Sequence, residues 1–154
     1  MRVAKLVIVL AVIAAVAASI ATAGGPRRPP TRIAAIELTP GTSGGPQGVA
    51  YLKQRGNKVS GWFVVWGLPP NTTHAWHIHG PNGACAPASR NKDPIASGTD
   101  AVADANGVAF KKVSITIATQ IIKRGFYLNV HELSSEAGVG AGITCGNIVA
   151  TVYR

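Results

Sequence analysis

The sequence predicts a small all-β domain, a sandwich or barrel of about eight short strands. Eighteen glycines and ten prolines in 154 residues indicate many turns, because these residues end strands and form tight connections. Short apolar or alternating segments recur between the turns, and few stretches read as an amphipathic helix. One domain is expected at this length.

The first half of the domain contains four predicted strands, at 33–39, 48–54, 58–68 and 73–80. The second and third form a hairpin across the tight turn 55–57. In the long third strand, Gly61 and Gly67 indicate a bulge or a close approach of another strand. Side-chain alternation puts Trp62 and Trp66 on one face and Phe63 on the other, so an aromatic side chain is expected to be exposed.

The second half contains four further predicted strands, at 101–103, 108–117, 125–132 and 143–153. The segments 81–99 and 133–142 are predicted loops, while 118–124 fits either a short helical turn or a loop. Strands of this length, spaced by turns, favour a sandwich or barrel.

The N-terminal 23 residues are predicted to be a signal peptide. A positive start with Arg2 and Lys5 precedes an apolar run from Leu6 to Ala18, and Ala21-Thr22-Ala23 fits the small-x-small cleavage rule. The alternative is an uncleaved membrane anchor, since the segment from Leu6 to Ala23 is only just long enough to span a bilayer. Residues 24–31 form a predicted disordered lead-in, and the folded domain is assigned to 32–154.

Charge and cysteine content bound the environment and the partners. The formal net charge is +9, which favours anions over cations as partners. No recognition helix, zinc finger or aromatic-basic pattern indicates nucleic-acid binding. Cys85 and Cys145 form one disulfide if the protein is secreted or periplasmic, as the signal peptide implies; the alternative is two buried thiols.

Three of the four histidines lie within six residues, at His74, His77 and His79, and the fourth is His131. On a strand His77 and His79 share a face, and the same alternation allows His131 to face that way from its own strand. Three imidazoles suit copper or zinc. The alternative is that these are ordinary core or surface histidines.

The segments GLPPNTTHAWHIHG, DANGVA, FYLNVHE and VGAGITCGNI resemble, in order, parts of the Cu/Zn superoxide dismutase family. The resemblance extends from about Ile33 to Ile148 and implies an eight-stranded Greek-key β-barrel. It also implies that His77, His79 and His131 are copper ligands, that His74 braces the site, and that Cys85 and Cys145 are the family's disulfide.

The sequence also departs from that family. No histidine occurs between Gly80 and Val130, so the family's zinc site and metal-bridging histidine cannot be built, and zinc is not expected there. Gly142 stands where the family has its active-site arginine. Only 13 residues separate His131 from Cys145, so the family's charged guiding loop is short. Glu132 and Glu136 are weak candidates for proton donors. The candidates for a positive charge that attracts the anion are Lys111, Lys112, Lys123 and Arg124.

Three functions follow from these observations. The first is an exported, copper-dependent superoxide dismutase, an antioxidant enzyme with superoxide as its substrate. The second is a non-catalytic copper carrier, store or sensor on the same fold. The third is a metal-free binding module, because HIHGPNG and YLNVHE also resemble, more loosely, a secreted domain of chordin-like proteins. No stable membrane insertion is expected after signal cleavage, and the oligomeric state is left open.

Overall fold

The structure is a computed structural model that describes residues 28–85 and 94–153. The predicted signal peptide and most of the lead-in lie outside these residues. The strands are β1 (Thr31–Pro40), β2 (Gln47–Arg55), β3 (Lys58–Trp66), β4 (Thr73–His74), β5 (Trp76–His79), β6 (Pro94–Ser97), β7 (Ala101–Val102), β8 (Ala109–Thr116), β9 (Tyr127–His131), β10 (Gly142–Asn147) and β11 (Thr151–Tyr153). The described residues include no helix long and apolar enough to cross a membrane.

One curled antiparallel sheet dominates the molecule. Its strand order is β6-β5-β9-β10-β1-β2-β3-β8, while β11 pairs with the start of β1. A second, two-stranded sheet of β4 and β7 lies between the two ends, because β4 leads into β5 and a bridge joins Ala103 to Ala109 at the start of β8. The result is a nearly closed barrel consistent with a Greek key, which confirms the predicted all-β class.

The barrel core is built by strict alternation along the long strands. On β3, Phe63 is fully buried and its ring meets the Trp76 ring edge-on at 5.7 Å. Trp62 and Trp66 point outward, as predicted. Gly61 is a site of close approach, because a Cβ there would lie 1.9 Å from the carbonyl oxygen of Tyr51 on the neighbouring strand.

The segment 118–124 is a loop, and the buried Gln54 side chain holds it in place. The Gln54 amide donates to the carbonyl oxygen of Thr119 at 3.0 Å and accepts from the backbone N–H of Ile121 at 2.9 Å. Gln54 is only 2% exposed, so these bonds satisfy polar groups that burial would otherwise leave costly. A side chain from β2 therefore replaces the helical turn that the sequence also allowed.

Several predicted boundaries are wrong, each for a local reason. The strand predicted at 73–80 is divided at Ala75, whose carbonyl oxygen accepts from His131 N–H at 2.9 Å while its own N–H donates to Leu133. The predicted loop 81–99 contains β6, which pairs with β5. The last predicted strand is interrupted after β10, where Ile148 N–H donates to Phe126. β1 begins at Thr31, inside the predicted lead-in.

The disulfide predicted between Cys85 and Cys145 is present, with the two Cα atoms 5.6 Å apart and a sequence separation of 60 residues. It ties the segment after β5 to β10. Closing a loop of this length lowers the entropy of the unfolded chain and stabilises the fold by about 4 kcal/mol in the chain-entropy model.

Candidate metal centre

The histidines meet because β5 and β9 are neighbours in the sheet. In their register His77 lies opposite Asn129 and His79 opposite Tyr127. His131 is two residues beyond Asn129, so it shares their face and lies diagonal to His77. Trp76 and Ile78 point into the core on the opposite face, as predicted. Strand alternation and one pairing thus bring three imidazoles together.

His77, His79 and His131 form the histidine cluster. One ring nitrogen of each lies within 4.8 Å of the others. The His77 ring centroid is 4.8 Å from that of His131 and 5.7 Å from that of His79. The Tyr127 ring stacks on His79 at 5.0 Å with an 11° angle between planes. Three nitrogen ligands can therefore converge on one ion.

The surroundings of His131 fix which of its nitrogens faces the cluster. Its Nδ1 lies 3.4 Å from the carbonyl oxygen of Gly140, a long contact in which only Nδ1 can donate. The lone pair is then on Nε2, which is buried and has no hydrogen-bond partner among the described residues. Metal-binding histidines commonly donate one ring N–H to a carbonyl oxygen and bind the metal through the lone pair of the other nitrogen, and His131 has this arrangement.

Burial keeps two members of the cluster neutral. Burial above all, and to a lesser extent the neighbouring His77 and His79, lower the pKa of His131 to about 4, against an opposing effect of the hydrogen bond to the Gly140 carbonyl. Burial also lowers the pKa of His77, while the negative charge of Asp100 opposes this. Neutral imidazoles at neutral pH have lone pairs free for a metal ion.

His74 lies outside the cluster and contacts the backbone of one of its members. It is 2% exposed, and its Nδ1 donates to the carbonyl oxygen of His131 at 2.8 Å. Its Nε2 is 2.6 Å from the Thr72 hydroxyl. This bond fixes the backbone from which His131 projects, and the bracing role of His74 stays a prediction.

Asp100 is a residue of this region that the sequence did not single out. Its carboxylate accepts from the backbone N–H of Ser135 at 2.8 Å and from the Ser135 hydroxyl, and its negative charge acts on His77. Its backbone oxygen accepts from Lys111 Nζ at 2.8 Å. Asp100 thus joins β8 to the loop after His131. An isolated acid before a short strand gives no pattern that could have identified it.

The other predicted site residues are outside the cluster or committed elsewhere. Glu132, Glu136, Lys112, Lys123 and Arg124 are exposed. At Gly142 a Cβ would lie 2.6 Å from the Asn129 amide, so a long side chain at this position requires Asn129 to move.

Comparison with known proteins does not assign this chain to a family. No family model matches the chain, and no curated protein matches it either. The function is therefore inferred from the geometry and chemistry of the site.

Proposed function

We propose that this protein is an exported, superoxide dismutase-like protein that holds one copper ion with the histidine cluster. The observation that carries the proposal is the convergence of three imidazoles, one of which, His131, has a buried Nε2 with no hydrogen-bond partner among the described residues. Without an ion, that lone pair is desolvated with no compensating bond, which is costly. A metal ion compensates it, so the site favours metal binding over the metal-free module.

Copper is preferred to zinc on the chemistry of the donors. Among divalent first-row metals, copper binds a given set of nitrogen ligands most tightly. Both cysteines are in the disulfide, so no thiolate competes for the ion. The disulfide also supports export, because such bonds persist in oxidising compartments.

The proposal is tested by metal analysis of the purified protein after copper loading and dialysis. We expect about one copper per chain in the wild type and a small fraction of that in His77→Ala and His131→Ala. Lys123→Gln, an exposed change in the loop before β9, is the matched control and should retain wild-type copper. Equal copper in all four proteins would contradict the site.

Dismutation of superoxide to oxygen and hydrogen peroxide is a second candidate function. Bound copper would supply the one-electron redox chemistry. The chain contributes access and charge. His77 is only half-buried, so one edge of the cluster lies near solvent. The formal net charge of +9 attracts a small anion. The absent arginine and bridging histidine favour simple copper binding instead.

Superoxide decay after a radiolytic pulse separates the two functions. A dismutase predicts that the copper-loaded wild type removes superoxide far faster than copper-loaded His79→Ala at equal total copper. If both proteins match free copper under the same conditions, the protein binds copper without catalysing dismutation. Metal content is measured in the same samples, so loss of binding cannot be mistaken for loss of turnover.

A further inference from the structure

The outer face of β1, β2, β3 and β8, far along the sheet from β5, carries a groove lined by aromatic rings. The groove has a volume of about 640 Å³ and its lining includes Glu37, Gln47, Val49, Tyr51, Trp62 and Trp66. The Tyr51 ring stacks beside Trp62 at 6.3 Å, and the Phe110 ring continues the row at 6.5 Å. Exposed apolar surface of this kind marks binding sites.

Basic side chains border the same face. Four exposed cations project outward from these strands, namely Lys53, Arg55, Lys58 and Lys112. Lys112 is directly opposite Trp62 in the strand register, and Lys53 is opposite Ser60, one row further along. Glu37 is the one carboxylate on the four strands. The lining of the groove holds one charged side chain, Glu37, while the strand face around the groove carries an excess of positive charge, which favours an anionic partner.

The shape and charge of the groove argue against two other occupants. A second copy docked face to face would bring two sets of these four cations together with little acid to offset them. A lipid bilayer is best met by aromatic rings that protrude. Phe110 does so, at 58% exposed, whereas Trp62 and Trp66 are each only 38% exposed and line a concave surface. A groove of this form suits a chain-like ligand.

We infer that this groove, the aromatic groove, binds an acidic polysaccharide. The C–H bonds on the face of a sugar ring carry partial positive charge and pack on the negative face of an aromatic ring. Gln47 and Glu37 offer an amide and a carboxylate to sugar hydroxyls, and the four cations pair with uronate or sulfate groups. An exported protein meets such polymers at cell surfaces and in extracellular matrices. This inference does not depend on copper.

Titration of the purified protein with polygalacturonate oligomers, followed by tryptophan fluorescence, tests the groove. The wild type should bind saturably at low salt and weakly at high salt, because exposed charges are screened. Lys53→Gln/Lys58→Gln/Lys112→Gln should weaken binding about tenfold, from about 0.5 kcal/mol per lost charge pair. Trp62→Ala and Trp66→Ala, followed by calorimetry, should each weaken it by a similar factor.

Three comparisons can overturn the inference. Lys123→Gln/Arg124→Gln, two exposed charges outside the groove, should change affinity less than twofold, and an effect as large as that of Lys53→Gln/Lys112→Gln would indicate only the general positive field. Binding that survives both tryptophan changes would exclude the groove. No binding to the uronate polymer at low salt, or binding only to anionic phospholipid vesicles, would also contradict it. Circular dichroism confirms that each variant is folded.

Discussion

The histidine cluster and the aromatic groove lie on one barrel but are built in different ways. The groove is the outer surface of four long, regular strands, and its residues follow from alternation within each strand. The cluster depends on the pairing of two short strands, β5 and β9, whose histidines are far apart in sequence. Around it, loops, a disulfide and buried hydrogen bonds replace regular structure. The surface of the aromatic groove therefore tolerates substitution, whereas the histidine cluster depends on each supporting contact.

The sharpest contrast within one strand is between Phe63 and Trp62. Phe63→Ala should destabilise the protein by about 4 kcal/mol, because it empties a fully buried site and removes the contact with Trp76. Trp62→Ala, one residue earlier on the outer face, should cost about 1 kcal/mol. Urea unfolding of both variants measures the difference. Equal losses would show that β3 does not separate core from surface as described.

The disulfide supports the cluster side of the molecule. Cys85→Ser/Cys145→Ser should lower the free energy of unfolding by about 4 kcal/mol, because the unfolded chain regains the entropy of an open loop. Copper affinity should fall as well, since Cys145 lies on β10 beside β9. Polygalacturonate binding is expected to persist in the folded fraction. A variant that loses groove binding first would reverse the comparison.

His74 tests whether the cluster needs its bracing contact. His74→Leu keeps most of the volume but leaves the His131 carbonyl oxygen without its 2.8 Å donor, so it should cost about 2 kcal/mol of stability. Copper affinity should fall about tenfold, as for other residues that orient metal-binding histidines. His74→Gln, which can still donate, should recover part of both. Wild-type copper affinity in His74→Leu would exclude the bracing role.

A further prediction concerns the pH dependence of the metal-free protein. The unfolded chain binds a proton at His131 near its ordinary pKa, whereas the folded protein resists protonation until about pH 4. Stability should therefore be constant above about pH 6.5 and fall as the pH decreases towards 4. The urea midpoint measured across this range should fall less in His131→Gln than in the wild type. An equal fall in both would place the proton uptake elsewhere.

The two regions also differ in what the sequence could predict. Alternation within a strand is local, so the burial of Phe63, the exposure of Trp62 and the shared face of His77 and His79 could all be predicted. The neighbourhood of β5 and β9 required the family resemblance or the structure, because strand pairing across about fifty residues leaves no local pattern.

Contacts that depend on loops were out of reach of the sequence. Strand β6 lies in a proline-containing segment that reads as a loop, yet it completes the sheet beside β5. The break at Ala75 arises because its backbone bonds go to His131 and Leu133. Asp100, whose charge acts on His77, is held by a serine 35 residues away. Each depends on tertiary contacts, and these override local preference.

Anomalous diffraction at the copper absorption edge, from crystals of the copper-loaded protein, tests the central claim most directly. If the histidine cluster binds copper, one strong peak should lie on the β5 and β9 face, about 2 Å from one nitrogen each of His77, His79 and His131. The nitrogen of His131 that faces the peak should be Nε2. A peak that contacts fewer than two of these imidazoles, or copper bound only elsewhere on the protein, would contradict copper binding by the histidine cluster.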